Sequence, residues 1–156
     1  MAAMICAAQN PWVVRMDGFG PVHVGMTLRQ LNAILHTSYT LPTDPDERAC
    51  FYAEIPNHSD VNLMILNGRV GRMDVDNPDA RTERGLHNGS TESEALRTYG
   101  KQLKVTAHAY NPENGHYLTV LSPDRRYGIR FETADGKIEH YYAGQRAAIA
   151  YIEGCS

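Results

Sequence analysis

Two stretches with the same punctuation constrain this chain more than anything else in it. In residues 25–35, GMTLRQLNAIL, Gly25 and Thr27 precede Leu28, Leu31, Ile34 and Leu35, which recur at the spacing of one helical face. Thr27 followed by Gln30 has the form of a capping box, in which hydroxyl and amide each satisfy a backbone N–H that a helix start leaves unpaired. In residues 89–100, GSTESEALRTYG, Gly89 and Thr91 stand in the same relation to Glu94, with Ala95, Leu96 and Tyr99 on the apolar face and Gly100 as a stop.

Each start is followed by the same series of strand signals. Residues 61–75, VNLMILNGRVGRMDV, and 127–143, YGIRFETADGKIEHYYA, carry β-rich runs around Asn67-Gly68 and Asp135-Gly136, dipeptides that suit a two-residue type I′ hairpin turn. Between helix and hairpin lie CFYAEI from Cys50 and HYLTV from His116. Helix, strand and hairpin thus recur in order, at offsets of 64, 66 and 68 residues. Repeated units stack because one alone cannot bury its apolar face. The expected fold is α+β: two tandem helix-plus-three-strand units forming a continuous antiparallel sheet with helices on one face. Residues 12–80 would be the first unit and 81–156 the second, in one shared globular domain, with loops at 41–49 and 77–85 marked by Pro, Asp and Gly.

Hydrophobic residues make up 42% of the chain and charged ones 21%, which excludes a disordered polyelectrolyte. The formal charge of −3 comes from interspersed acids and bases with no basic stripe in the sequence, so nucleic acid is not an expected partner. No apolar run reaches the roughly 18 residues that a transmembrane helix needs. Residues 1–11 read as the remnant of an export signal, with small residues at Cys6-Ala7-Ala8 before Gln9; the competing reading is a frayed cytosolic start. If the chain is exported, Cys50 and Cys155 are the expected disulfide, since processing would remove Cys6; in a reducing compartment they would be buried thiols.

The phrase Gly25-Met26-Thr27 running into Leu28-Arg29-Gln30-Leu31, in a duplicated unit of a helix followed by antiparallel strands, resembles the β-lactamase inhibitory protein family. It is also similar to the related small outer-membrane lipoprotein of the β-barrel assembly machinery, which has one such unit. The resemblance implies an exported bacterial protein that binds another protein and has no catalytic site. That family closes a disulfide within each unit, whereas this chain has one interior cysteine in its first half and one at its end.

The search for chemistry yields no active site. None of the seven histidines stands in HxH, HExxH or a comparable spacing, so no metal or other cofactor is expected. Asp74, Asp76 and Asp79 lack the central glycine and distal glutamate of a calcium loop.

Strict alternation from the turns separates the faces of each hairpin. In the second, Ile129, Phe131, Thr133, Ile138, His140 and Tyr142 would face the helix, leaving Arg130, Glu132, Glu139 and Tyr141 outside. In the first, Leu63, Ile65 and Val70 would face the helix. Met64, Leu66, Met73 and Val75 would then form an apolar outer face, suited to a protein partner unless the N-terminal segment with Trp12, Val13 and Val14 covers it. A second candidate surface is the loop region holding His108, Tyr110, His116 and Tyr117, although a long hairpin stabilised by cross-strand aromatics is the favoured reading of it. The expected contact residues are Met64, Leu66, Met73, Tyr110, His116, Tyr117, Arg130 and Tyr141. The function expected is that of a periplasmic or secreted, non-catalytic protein-binding module, such as an inhibitor or immunity-type partner of a hydrolase or toxin. An envelope structural lipoprotein, which would need lipid on Cys6, is the alternative, and a histidine-based enzyme ranks last.

Overall fold

The structure, a computed structural model, describes residues 12–76 and 78–155. Residues 1–11, with the expected export remnant and Cys6, lie outside the described residues. The chain opens with three two-residue strands, β1 (Val14–Arg15), β2 (Gly18–Phe19) and β3 (Val22–His23), which form a small antiparallel sheet. There follow α1 (Leu28–Leu35), α2 (Pro45–Arg48), β4 (Cys50–Ile55), β5 (His58–Leu66) and β6 (Arg69–Val75). The second half comprises α3 (Glu92–Tyr99), a 3-10 turn, β7 (Lys104–Ala107), β8 (Gly115–Leu121), β9 (Tyr127–Ala134), β10 (Lys137–Gln145) and α4 (Arg146–Ile149).

The local signals in the sequence are realised in hydrogen bonds. Thr27 Oγ1 accepts from the Gln30 amide at 3.2 Å while the Gln30 side chain accepts from Thr27 N at 2.9 Å. Thr91 and Glu94 make the same reciprocal pair at 3.1 and 2.9 Å. Removing such a cap leaves a helix-start donor without its partner, so Thr91→Ala should cost about 1 kcal/mol in chemical denaturation. Both hairpin turns have two successive residues of positive φ, 49° and 79° at Asn67-Gly68 and 50° and 78° at Asp135-Gly136, as a type I′ turn requires.

β4 to β10 make one antiparallel sheet of seven strands in the order β4-β5-β6-β10-β9-β8-β7. β6 and β10 pair at its centre, so the strands of residues 50–75 and those of 104–145 join there. β7 is a strand that a three-strand second half does not include. Its residues Lys104-Val105-Thr106-Ala107 alternate polar and apolar over only four positions, and all four are exposed, so they mark no buried face.

The core lies between this sheet and α1 and α3. Leu31, Ala95 and Tyr99 of the helices belong to one buried cluster with Leu63, Ile65, Leu118, Ile129 and Phe131 of the sheet, and Val14, Phe19 and Val22 extend it. Trp12 stacks on His58 at 4.2 Å and meets Phe19 edge-on at 5.1 Å. The N-terminal segment therefore closes the helix side of the sheet, contrary to the expectation that it would lie across the opposite face.

Two bulges correct the expected faces. Met64 pairs with Arg72 and Ile65 with Val70, which leaves Gly71 as an extra residue in β6. Ile138 pairs with Thr133 and His140 with Glu132, which leaves Glu139 extra in β10. One extra residue reverses the alternation beyond it. Met73 and Val75 consequently enter the core rather than the outer face, and so does Tyr141, beside Phe131 at 5.4 Å. His140 and Tyr142 move to the opposite side. The helices are not all on one face either: α4 packs against β9 and β10 from the side away from α1 and α3, where glycines make room for it. A Cβ on Gly128 would meet the Ile149 side chain, and one on Gly144 would fall on the backbone of Gly71 and Arg72.

Candidate functional site

The sheet face away from α1 and α3 is built from alternating positions of its central strands. Cross-strand pairing sets Tyr142 of β10 between Asp74 of β6 and Arg130 of β9, and sets Tyr117 of β8 opposite Glu132. The Arg72 guanidinium lies 4.1 Å from the centre of the Tyr142 ring, and that of Arg130 lies 5.4 Å from the Tyr117 ring, so each aromatic carries a cation on its face. Arg130 Nε also donates to Thr119 Oγ1 at 3.0 Å.

The β7–β8 connection adds a third layer. His108 stacks on Tyr117 at 4.6 Å, and its Nδ1 accepts from the Tyr110 amide at 3.1 Å. The proton therefore sits on Nε2, which faces Glu132 Oε1 at 2.9 Å. Tyr110 is 68% exposed, and its hydroxyl donates to the Glu153 carboxylate of the C-terminal segment. Rings that are stacked, capped and hydrogen-bonded in this way are ordered before any partner arrives.

The other side of this face is covered by α4 and residues 150–155. Arg72 is 2% exposed and acts as the anchor: Nη1 donates to the carbonyls of Ala148 at 3.0 Å and Tyr151 at 2.6 Å. Nη2 reaches Asp74 Oδ2 at 3.3 Å, while Nε and Oδ1 stand 2.8 Å apart as an ion pair without the alignment of a hydrogen bond. Cys155 and Cys50 stand at disulfide distance, with Cα atoms 5.3 Å apart, and tie the segment to the edge strand. A cleft of about 380 Å³ remains beneath it, bordered by Tyr52, Asn62, Asp76, His140, Ile152 and Glu153. Burial first, then the Asp74 carboxylate, pushes the Tyr52 phenol above its ordinary value. Tyr142 is shifted further in the same direction, chiefly by burial, and its hydroxyl has no hydrogen-bond partner among the described residues. Both phenols stay neutral at physiological pH.

These positions divide the eight expected contact residues. Tyr110 and Arg130 lie on the accessible part of the face, and Tyr117 lies beneath Arg130 and His108, 6% exposed. Met64 does point to this face but is fully buried, and Met73 and Tyr141 are fully buried in the core, so none of the three offers contact area. Leu66 is half-buried against Gly71. His116 turns to the helix side, where its Nδ1 meets Glu92 Oε1 at 2.7 Å and Thr133 Oγ1 donates to the same oxygen at 2.5 Å. Burial would raise the Glu92 pKa, but the hydrogen bonds from Thr133 and His116 outweigh it and hold the carboxyl below its usual range. Stability from that cluster is thus present above the unfolded pKa and is lost as the pH falls through the folded one.

The sequence reading missed Arg72, Tyr142 and the C-terminal segment. The signal for Arg72 was an arginine in the middle of a strand two residues before an aspartate on the same face, a pair that burial together explains. Among the described residues no three His, Cys, Asp or Glu side chains gather as metal ligands, and no helix is long and apolar enough to cross a membrane. His108, His116 and His140 each pair with a different carboxylate. Comparison with protein-family models, with curated proteins and with solved structures finds no match to this chain.

Proposed function

We propose that this protein is an exported, non-catalytic module that binds another protein through the sheet face away from α1 and α3, as an inhibitor or immunity-type partner of a hydrolase or toxin does. The observation that carries the reading is the accessible pair Tyr110 and Arg130, held in place by His108 and Tyr117 beneath them. Tyrosine and arginine are the residues that dominate protein-recognition energetics, and fixing them in advance lowers the entropic cost of association. A cysteine pair at disulfide distance suits an oxidising compartment, in keeping with export.

The reading includes a duplicated unit, as in the resembling inhibitor family. Gly25 N donates to Val70 O at 2.7 Å and Val70 N to Met26 O at 2.9 Å; Gly89 N donates to Ile138 O at 2.7 Å and Ile138 N to Ser90 O at 2.8 Å. In each half, then, the segment leading into the helix is stitched to the start of the hairpin's return strand. The bulges at Gly71 and Glu139 fall at matching places in those strands, one residue after Val70 and Ile138. Such agreement in hydrogen bonding and in irregularity favours a common ancestor for the halves.

Immobilised protein carrying Tyr110→Ala with Arg130→Ala should capture a partner from an envelope fraction about thirtyfold more weakly than wild type, the loss expected when a hot-spot pair worth roughly 2 kcal/mol is truncated. Arg29→Ala, on the exposed face of α1, should leave capture unchanged. Equal capture by the double variant and wild type would reject this face.

A further inference from the structure

Three adjoining hollows of about 430, 220 and 300 Å³ meet at Arg125, in the turn between β8 and β9. Lys104, Arg125, Arg126, Arg130 and Arg146 line them, and no Asp or Glu does. A chain of net charge −3 with 15 Lys and Arg in total therefore gathers five of its cations at one end of the sheet. They come from β7, the β8–β9 turn, β9 and the first residue of α4, which is why the linear sequence displays no basic stripe. Arg130 is hydrogen-bonded to Thr119 and Arg126 lies 5.6 Å from the Tyr127 ring, but none of the five takes part in an ion pair among the described residues. Asp124, in the same turn, accepts from the Ser122 hydroxyl at 2.6 Å and from the Arg126 amide at 3.0 Å, and its charge lies beside Arg126 without lining the hollows.

The backbone beneath these cations is fixed. Arg125 has φ 61°, a left-handed conformation that disfavours a residue with a side chain, and it is held there by its amide donating to Ser122 O at 2.8 Å. Tyr127 N donates to Ser122 Oγ at 3.2 Å, and Arg146 N donates to Arg126 O at 2.9 Å, which docks the start of α4 against the turn. Thr106, Thr119 and Gln102 add neutral polar groups to the walls. Lys104, Arg125, Arg130 and Arg146 border the 220 Å³ hollow together, and Arg126 continues the positive charge into the neighbouring one, a spread that suits several charged groups and not a single compact anion alone. Guanidinium groups pair with carboxylates through two parallel hydrogen bonds, and exposed cations of one sign attract an acidic surface over several ångströms.

We propose that this basic cleft receives the carboxylates of an acidic segment of the partner protein. This rests on the function proposed above, since Arg130 borders both the cleft and the aromatic face, and one partner lying across Tyr110 and Arg130 would extend its acidic segment toward Arg125 and Arg146.

Fluorescence anisotropy at low salt with labelled hexaglutamate, inorganic phosphate as competitor and a labelled single-stranded hexanucleotide in parallel tests the assignment without needing the partner. Hexaglutamate should bind and weaken as salt is added, and Arg125→Glu with Arg146→Glu should lower its affinity about tenfold or more, as expected for reversing two exposed charges. Arg29→Glu with Arg97→Glu, the same change in net charge on α1 and α3, should leave it unchanged. All four arginines are exposed, so both variants should keep the wild-type melting profile. Absence of hexaglutamate binding, equal weakening by the two double variants, displacement by millimolar phosphate or preference for the oligonucleotide would each overturn the proposal. Such a failure with Tyr110- and Arg130-dependent capture intact would remove the cleft alone; the reverse outcome would remove the aromatic-face reading alone.

Discussion

Arg72→Ala should destabilise the protein by about 3–5 kcal/mol, because it leaves the Asp74 carboxylate buried without its cation. The guanidinium ties together more of the outer face than any other group described: it pairs with Asp74, covers the Tyr142 ring and holds the Ala148 and Tyr151 carbonyls. Its loss should therefore also free α4 and residues 150–155, seen as faster amide exchange there and new proteolytic cleavage after Arg146. Replacing the pair together, Arg72→Met with Asp74→Leu, should recover most of the stability, since two apolar side chains of similar volume leave no buried charge. Urea denaturation of the three proteins checks this. A single-variant loss below about 1 kcal/mol would mean that water reaches Asp74 and that the face is open where the structure closes it.

The second large effect belongs to the cysteine pair. Cys50 and Cys155 are 105 residues apart, and closing a loop of that length restricts the unfolded chain by about 4–5 kcal/mol on the chain-entropy account. Cys155→Ser should lower the unfolding free energy by about 4 kcal/mol, and reductant should do the same to wild type while leaving the variant unaltered. The segment it tethers packs closely, since a side chain at Gly154 would collide with the Tyr52 hydroxyl. Arg72 and the disulfide hold the same segment, so their losses should not add: in the Cys155→Ser background, Arg72→Ala should cost less than it does alone. Indifference of wild type to reductant would show that the two thiols do not bridge.

What was legible in the sequence is what short-range chemistry dictates. Thr27 with Gln30 and Thr91 with Glu94 specify helix starts within four residues, and Asn67-Gly68 and Asp135-Gly136 specify turns within two. The α+β class and the large antiparallel sheet follow from these. Which side chain faces which way did not follow, because alternation is reliable only until a bulge; Gly71 inside a strand hints at one, but Glu139 announces none. Met73 and Tyr141 were placed outside for that reason. The return of Ala148 and Tyr151 to Arg72 was also hidden, a contact across more than 70 positions that no local pattern encodes. Of the candidate site, Tyr110 and Tyr117 were legible as tyrosines flanking a loop, a residue type favoured at recognition surfaces, and Arg130 as an outward position of the second hairpin. The pairing of His108 with Glu132 was not, since it joins a loop to a strand.

Site-specific photocrosslinking in living cells tests the central claim most directly, that the face away from α1 and α3 is the one that meets another protein. A benzophenone side chain at Tyr110, 68% exposed on that face, should yield a discrete protein adduct, and one at Leu96, 46% exposed on α3, should yield none. An adduct from position 96 without one from position 110 would contradict the account.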